Sequence, residues 1–246
     1  MQVIALEGFP FVKRGADIGG LIARATDKQG LKLEDGDVVV VTQSIVSKAE
    51  GCVVDLDKVK PSEFAKRLAK QLDKDPREME VILHEAKEIV RLRHVLVART
   101  HHGFICASAG VDHSNVDRGK VTLLPRDPDA SARRIRRKIK QESGVDVAVI
   151  ITDTQGRAFR MGAIGTAIGL SGIKPLMHLR GRRDLYDRKL RSKVIAVADA
   201  LAAAGVAVIG EAGEGTPVAV IKGATYEKGK GSVGELIRPR EKDLFV

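Results

Sequence analysis

Tryptophan is absent from the 246-residue chain, and aromatic residues make up only 3% of it. A protein that stacks bases on aromatic platforms ordinarily carries more. The two cysteines, Cys52 and Cys106, stand far apart and form no CxxC pair. That supports neither a thiolate zinc site nor a disulfide framework, and both thiols are expected to be reduced. No apolar run approaches the roughly 18 residues of a membrane span, and MQVIALEGFPF has no basic stretch ahead of a long apolar one. The expectation is a cytoplasmic protein with no membrane partner. The six histidines show neither H-x-x-x-H nor HExxH spacing, and no G-x-S-x-G is present. A covalent serine mechanism therefore has no motif to rest on.

What is present is ordinary in bulk: 43% apolar and 30% charged residues, enough for a real core in one large unit or two small ones. The formal charge is +10. A solvated Lys/Arg surface explains it, and so does an acidic small substrate or nucleic acid. No helix-turn-helix, RRM or zinc-finger pattern supports the last, so no nucleic-acid partner is expected.

Val3 to Leu6 reads as a strand, and Asp17 caps a helix that stops at Gly30. Val38 to Val41 is a buried strand ending in polar Thr42, Gln43 and Ser44, with Lys48 close behind. Residues 61–90 read as two helices, opened by Pro61 and by Asp75-Pro76. Two strands joined at His101-His102-Gly103 fill 94–111, and VTLLP is another. DPDASARRIRRKIKQESG is a basic helix stopped by Gly144. VDVAVIIT is a strand, RSKVIAVADALAAAG a helix and TPVAVIKG a late strand. Consecutive strands without strict βαβ alternation favour an α+β fold with mixed, largely antiparallel sheets. The chain reads as one unit over 1–246, with two lobes as an option.

Three glycine-rich tracts are candidates for phosphate binding. GKGSVG matches G-x-G-x-x-G, but Pro239 cuts off the helix that a dinucleotide site needs. GATYEKGK resembles a Walker A loop with one residue too many and no Ser or Thr after Lys230. GEAGEGTP, Gly210 to Pro217, lets backbone N–H groups approach an anion. Glu211 and Glu214 repel bare phosphate, so the tract makes sense with a divalent metal between them and the phosphate. Taken alone it reads more simply as an acidic turn.

Asp112 follows CASAGV and Asp153 follows VAVIIT, each at the expected end of an apolar strand, where loops converge. With Thr154 and Asn115 beside them and Glu211 elsewhere, they form an oxygen set suited to Mg2+ or Mn2+ and not to zinc. Singly, each Asp also reads as a turn cap. Arg133 to Lys140 reads as a solvated helix face. Arg180, Arg182 and Arg183 lie in a loop, and with Arg157 and Arg160 they could hold an anionic substrate.

Together, LEGFPFVKRGADI, DGDVVVVTQSIVSKAEG, RTHHGFICASAGVDHSNV, DVAVIITDTQGRAFRMGAIGTAIGLSGIKPL, DLYDRKLR and GEAGEGTPVAV closely resemble the coenzyme F420-0:γ-glutamyl ligases, in family order and over nearly the whole chain. The resemblance implies addition of L-glutamate, by γ-linkages, to the lactyl carboxylate of F420-0, and to F420-1, with GTP converted to GDP and phosphate. It implies Mg2+ or Mn2+, helped by K+, and an unusual α+β fold forming an intertwined homodimer with clefts between the halves. Some members carry a further nitroreductase-like domain; this chain is expected to be the stand-alone form. By resemblance, Asp112, Asp153, Thr154 and Glu211 are metal ligands, with Asp112 and Asp153 at the catalytic centre. Pro10, Phe11, Val12, Gln43, Ser44, Lys48 and Asn115 are nucleotide contacts. Gly210, Glu211, Ala212, Gly213, Glu214, Gly215 and Thr216 form the loop around the GTP phosphates. Many members carry Gln where Glu211 stands, and Thr216 is inserted before Pro217.

A carboxylate does not react with an amine at neutral pH, so it must be activated. The hypothesis is attack of the acceptor carboxylate on the γ-phosphate of GTP, giving an acyl phosphate that the glutamate amine then opens. Positioning and charge neutralisation carry such chemistry, which needs no protein nucleophile. Arg157, Arg160 and Arg180 are expected to face the acidic acceptor. Two alternatives stand: another nucleotide-dependent acid–amine ligase, and a basic nucleic-acid-binding module. The tract Gly162 to Gly172 is expected to be a tightly packed strand.

Overall fold

The computed structural model describes residues 1–243. In chain order the strands and helices are β1 (Gln2–Ala5), α1 (Ile18–Lys28), β2 (Val38–Thr42), α2 (Gln43–Glu50), β3 (Val53–Asp55), α3 (Glu63–Leu72), α4 (Pro76–Glu85), β4 (Ala86–Leu92), β5 (Leu96–Thr100), β6 (Ile105–Ala107), β7 (Lys120–Thr122), α5 (Pro128–Ser143), β8 (Ala148–Arg157), β9 (Arg160–Ser171), β10 (Leu176–His178), β11 (Val194–Ala196), α6 (Val197–Ile209) and β12 (Val218–Lys222). The fold is α+β, with mixed and antiparallel sheets as expected.

The main sheet has the order β1-β12-β2-β8-β9. Its one parallel pair is β2 with β8; the other neighbours run antiparallel. Val38, Val39, Val40 and Val41 are all fully buried, as are Val149, Ile150 and Ile151. Strands covered on both faces bury every side chain, so they read as unbroken apolar runs and not as alternation. Helix α6 lies on this sheet at two close approaches. A Cβ on Gly205 would stand 2.7 Å from the Val40 side chain, and one on Gly165 would stand 2.5 Å from Val206. These glycines let helix and strand backbones meet.

A second hydrophobic cluster gathers Leu68, Met79, Ile82, Leu96 and Val121, where α3 and α4 cover the β4-β5-β6 sheet. Strands β3 and β7 pair with each other, and β10 pairs with β11 at the base of an excursion through 179–193.

Helix starts follow their caps: Asp17, Ser62, Asp75 and Asp127 each accept a backbone N–H from the first turn. Three expectations are corrected. The second helix of 61–90 ends at Glu85, and AKEIVRL becomes β4 with an alternating exposed and half-buried pattern. Its charged residues suggested helix, but their period is two. The helix expected from Arg191 begins at Val197, because the lead-in pairs as β11, and it continues through Gly205 to Ile209. Strand β8 does not end before Asp153. It bulges between Ile151 and Thr152 and runs on to Arg157 as half of a long hairpin with β9. The glycine-rich tract is that partner strand, as expected.

Candidate active site

Strands β2 and β8 run in register to Thr42 and Thr152, which lie side by side. From there the chain diverges. After Thr42 it turns into α2, whose first N–H groups receive no side-chain cap bond from Thr42. After Thr152 it continues as strand and presents Asp153 and Thr154. Between these ends opens a cleft of about 1540 Å3.

The loop with Pro10, Phe11 and Val12 forms one wall, and the Phe11 ring is 99% exposed there. Ser44 and Lys48 of α2 form the next. Gln43 also lines the cleft, but its side chain is buried. Its amide donates to the Leu123 carbonyl at 2.9 Å and to Ser47 Oγ at 2.7 Å, tying α2 to the segment after β7. The Lys48 ammonium donates to the Asn115 carbonyl. Burial lowers its pKa, while Asp117 and Asp112 pull the other way. Lys48 is thus a half-buried cation facing the carboxylates.

Asp112 sits where the chain bridges back to Thr122, with Asp112 N donating to Thr122 O at 3.1 Å. Its carboxylate accepts from Ser114 N at 3.0 Å and from the Ser114 hydroxyl. The turn-cap reading therefore holds alongside the cleft position. Asn115 has a left-handed backbone, φ 52°, and its side-chain amide donates to Ala212 O at 3.3 Å, which joins this loop to the one after α6.

Asp153 is partly buried, and its Oδ2 accepts from Gln155 Nε2 at 3.2 Å. Burial pushes its pKa up to about 6, and the negative charges of Asp112 and Glu211 push the same way; the Gln155 and Thr154 donors partly offset them. Thr154 Oγ1 donates to Glu211 Oε1 at 2.6 Å. Glu214 folds back so that its Oε2 accepts from Ala212 N at 2.8 Å, and Gly210, φ 80°, leaves room for that carboxylate where a Cβ would collide. Thr216 Oγ1 donates to Ile209 O at 2.7 Å.

The loop from 210 to 216 follows the C-terminal end of α6, whose partial charge is negative. With Glu211 and Glu214 it repels bare phosphate. The α2 N-terminus across the cleft has the opposite polarity and suits an anion. The cleft is therefore bipolar. Its oxygen donors, Asp112, Asp153, Thr154 and Glu211, fit a hard divalent cation by chemistry. Thr154 and Glu211 touch, but among the described residues no three His, Cys, Asp or Glu side chains form a group that could hold a metal ion.

Of the other expected site residues, Gly210, Ala212, Gly215 and Thr216 line the cleft and Gly213 does not. Arg157, Arg160 and Arg180 also lie outside its lining. Arg157 stands at the far end of the β8–β9 hairpin, with Nη2 donating to Met161 O at 3.4 Å, and Arg180 is in the excursion through 179–193. The hairpin carries the first two off the lining, because β8 outruns its expected end at Thr152 by five residues. Sequence reading passed over Arg14, Asp117 and Lys120, which do line the cleft. Arg14 lay inside the stretch quoted for the resemblance, so a signal existed for it. Lys120 is placed by the pairing of β7 with β3, opposite Asp55, and Asp117 lies in the loop that the Asp112–Thr122 bridge closes.

A family model described as F420-0:Gamma-glutamyl ligase matches residues 8–223. The chain is 48% identical over 248 residues to the coenzyme F420:L-glutamate ligase of Methanothermobacter thermautotrophicus, covering 100% of this chain and 98% of that one. It is 46% identical to the enzyme of the same name from Methanocaldococcus jannaschii, with 100% and 96% covered, and 41% identical to that of Archaeoglobus fulgidus, with 100% and 96% covered. The chain belongs to the F420-0:gamma-glutamyl ligase family.

Proposed function

We propose that this member of the family joins L-glutamate to coenzyme F420-0, and by γ-linkage to F420-1, at the expense of GTP. One observation carries the reading: a single cleft sets an uncapped helix N-terminus and Lys48 against Asp112, Asp153, Thr154 and Glu211. The positive side suits the nucleotide phosphates. The negative side suits the cation that travels with them.

In the first step an acceptor carboxylate oxygen bonds to the γ-phosphorus, and the bond from that phosphorus to the bridging oxygen breaks. GDP leaves, and an acyl phosphate remains. In the second, the amine nitrogen of glutamate bonds to the acyl carbon and phosphate departs with the bonding pair. The ammonium nitrogen gives up two protons, to water or the departing phosphate, and keeps one as the N–H of the amide. The α2 N–H groups and Lys48 hold the phosphates, and Asn115 ties the two cleft loops around them. Mg2+ or Mn2+ held by Asp112, Asp153, Thr154 and Glu211 would neutralise phosphate charge during transfer. In this reading K+ helps the reaction, with no residues assigned to it. The reading also takes two copies of the chain. Leu185, Tyr186 and Met161 are 83% exposed or more, apolar surface that a second copy would cover.

The decisive assay mixes the protein with GTP, Mg2+, L-glutamate and F420-0 and follows GDP and the glutamylated product by mass. GTP turnover that ignores F420-0 would overturn the acceptor. No turnover, with tight salt-dependent RNA or DNA binding, would overturn the ligase reading itself. Light scattering in solution tests the dimer.

A further inference from the structure

A second, smaller cavity of about 230 Å3 lies beside the cleft. Gln155 lines both hollows, and its amide donates to the Asp153 carboxylate at 3.2 Å. Thr166, the register partner of Asp153 on β9, lines the small one. The cavity therefore lies against the strand segment that carries Asp153.

Its polar groups are of both signs. Arg99 of β5 is 15% exposed along its side chain, and its Nε donates to Glu88 Oε2 at 3.3 Å. Its Nη2 is buried and has no hydrogen-bond partner among the described residues. A buried guanidinium nitrogen without an acceptor is costly and rare. Arg238 lines the cavity from an exposed position. Asp199, in the first turn of α6, also lines it; its Oδ1 accepts from Ala167 N at 3.0 Å, and burial raises its pKa. Asp243 is a second acid on the lining. Among the described residues, no ion pair within 4.0 Å joins Asp199 to Arg99. The cavity thus keeps apart two opposite charges that a small zwitterion can bridge. Asp199 makes it a poor phosphate site, and its volume is far below that of the main cleft.

We propose that this cavity seats the amino-acid co-substrate: an α-amino acid with a second carboxylate, its carboxylates toward Arg99 and Arg238 and its ammonium between Asp199 and the shared Gln155 wall. The proposal rests on the ligase reading, in which that amino acid is L-glutamate. It gives the reaction two separate seats, one for nucleotide and one for amine. The amine enters from the side of the strand where Gln155 meets Asp153.

The test uses Arg99→Met, Arg99→Lys and Arg238→Ala in the full chain. The KM for glutamate is expected to rise about tenfold or more in Arg99→Met, as loss of a charged hydrogen bond implies, and less in Arg99→Lys and Arg238→Ala. The KM for GTP stays at its original value. So does formation, from GTP and F420-0 without glutamate, of the acyl phosphate trapped by hydroxylamine. Arg238 is exposed, so its variant folds even if Arg99→Met does not. An unchanged glutamate KM in Arg238→Ala and Arg99→Lys overturns the proposal. So does an equal loss of the glutamate-free half-reaction. If the unmodified protein makes no glutamylated F420, the ligase reading fails separately. The cavity is then judged by calorimetric titration with L-glutamate alone, where binding that Arg238→Ala weakens supports it and absence of binding overturns it.

Discussion

Strands β2 and β8 begin alike and finish as opposites. Both are buried Val/Ile runs, paired in parallel register, and both reach a threonine at the same level of the sheet. Beyond Thr42 the chain coils into α2 and exposes backbone N–H groups, a half-charge that costs no ionisable residue. Beyond Thr152 it stays extended and turns toward the cleft a partly buried carboxylate that burial makes hard to ionise. Two similar apolar runs thus lead to the two polarities of one cleft. The direction the backbone takes after the threonine decides which polarity each supplies.

Removing the negative half should have the largest effect. Asp153→Asn keeps the shape and hydrogen-bonding reach of the side chain and loses its charge. Ligation is expected to fall about 100-fold or more, the scale seen when one preorganised electrostatic group is removed from an active site. Near-full activity in mass-detected product formation would mean that β8 does not supply the cation side.

The same substitution should stabilise the metal-free protein. A carboxyl with a pKa of about 6 in the fold, against 3.8 ordinarily, holds its proton more tightly when folded. Below pH 4 it is protonated in both states and costs nothing. As pH rises toward 6 the unfolded chain ionises first, and stability is lost progressively, up to about 3 kcal/mol above that range. In chelator, the melting temperature of the unmodified protein should fall relative to Asp153→Asn between pH 4 and 6 and track it below. Parallel curves across the whole range would show that Asp153 is not strained by its surroundings.

The positive half is expected to be less sensitive, because backbone donors share it with several cationic side chains on the lining, Lys48, Arg14 and Lys120 among them. Lys48→Met should weaken GTP binding about tenfold, the worth of one charge-assisted hydrogen bond. Calorimetric titration reads this directly. A loss as deep as that of Asp153→Asn would make Lys48, and not the helix end, the main phosphate holder.

How much of this was legible beforehand divides along the same line. The apolar runs at 38–41 and 147–151 announce strands, because burial on both faces leaves no room for polar residues. Asp17, Asp75 and Gly144 announce helix ends through capping chemistry. The parallel pairing of β2 with β8 was not legible, since its partners lie more than a hundred residues apart and parallel pairing leaves no local turn signal. Nor was the bulge at Ile151–Thr152, which carries β8 past Asp153 and sets Arg157 and Arg160 outside the cleft. AKEIVRL showed charges that helices favour, and only the β5 partner made its period of two decisive. That Asp112, Asp153, Thr154 and Glu211 would face one cleft was legible by type and by resemblance. That Gln43 spends its amide on Leu123, and that Gln155 divides two hollows, depends on side-chain contacts that no spacing encodes.

The smallest expected effect reports on the negative half from behind. Cys106 lines the cleft, and its thiol pKa is pushed up to about 12, first by burial and then by the charge of Asp153. At pH 8 its reactive thiolate is therefore about one part in ten thousand. Cys52 is also raised, by burial and by Glu50. Neither thiol should be alkylated by iodoacetamide at a rate near that of free cysteine, and both should label fully once the chain is unfolded. In Asp153→Asn the labelling of Cys106 should quicken only slightly, because burial, the larger cause, is untouched. A large acceleration would show that the carboxylate, and not the packing around β6 and β8, keeps this side of the cleft inert. Rapid labelling of the unmodified protein would contradict both causes at once, since it requires water and a positive neighbour where the chain has placed an apolar strand and an acid.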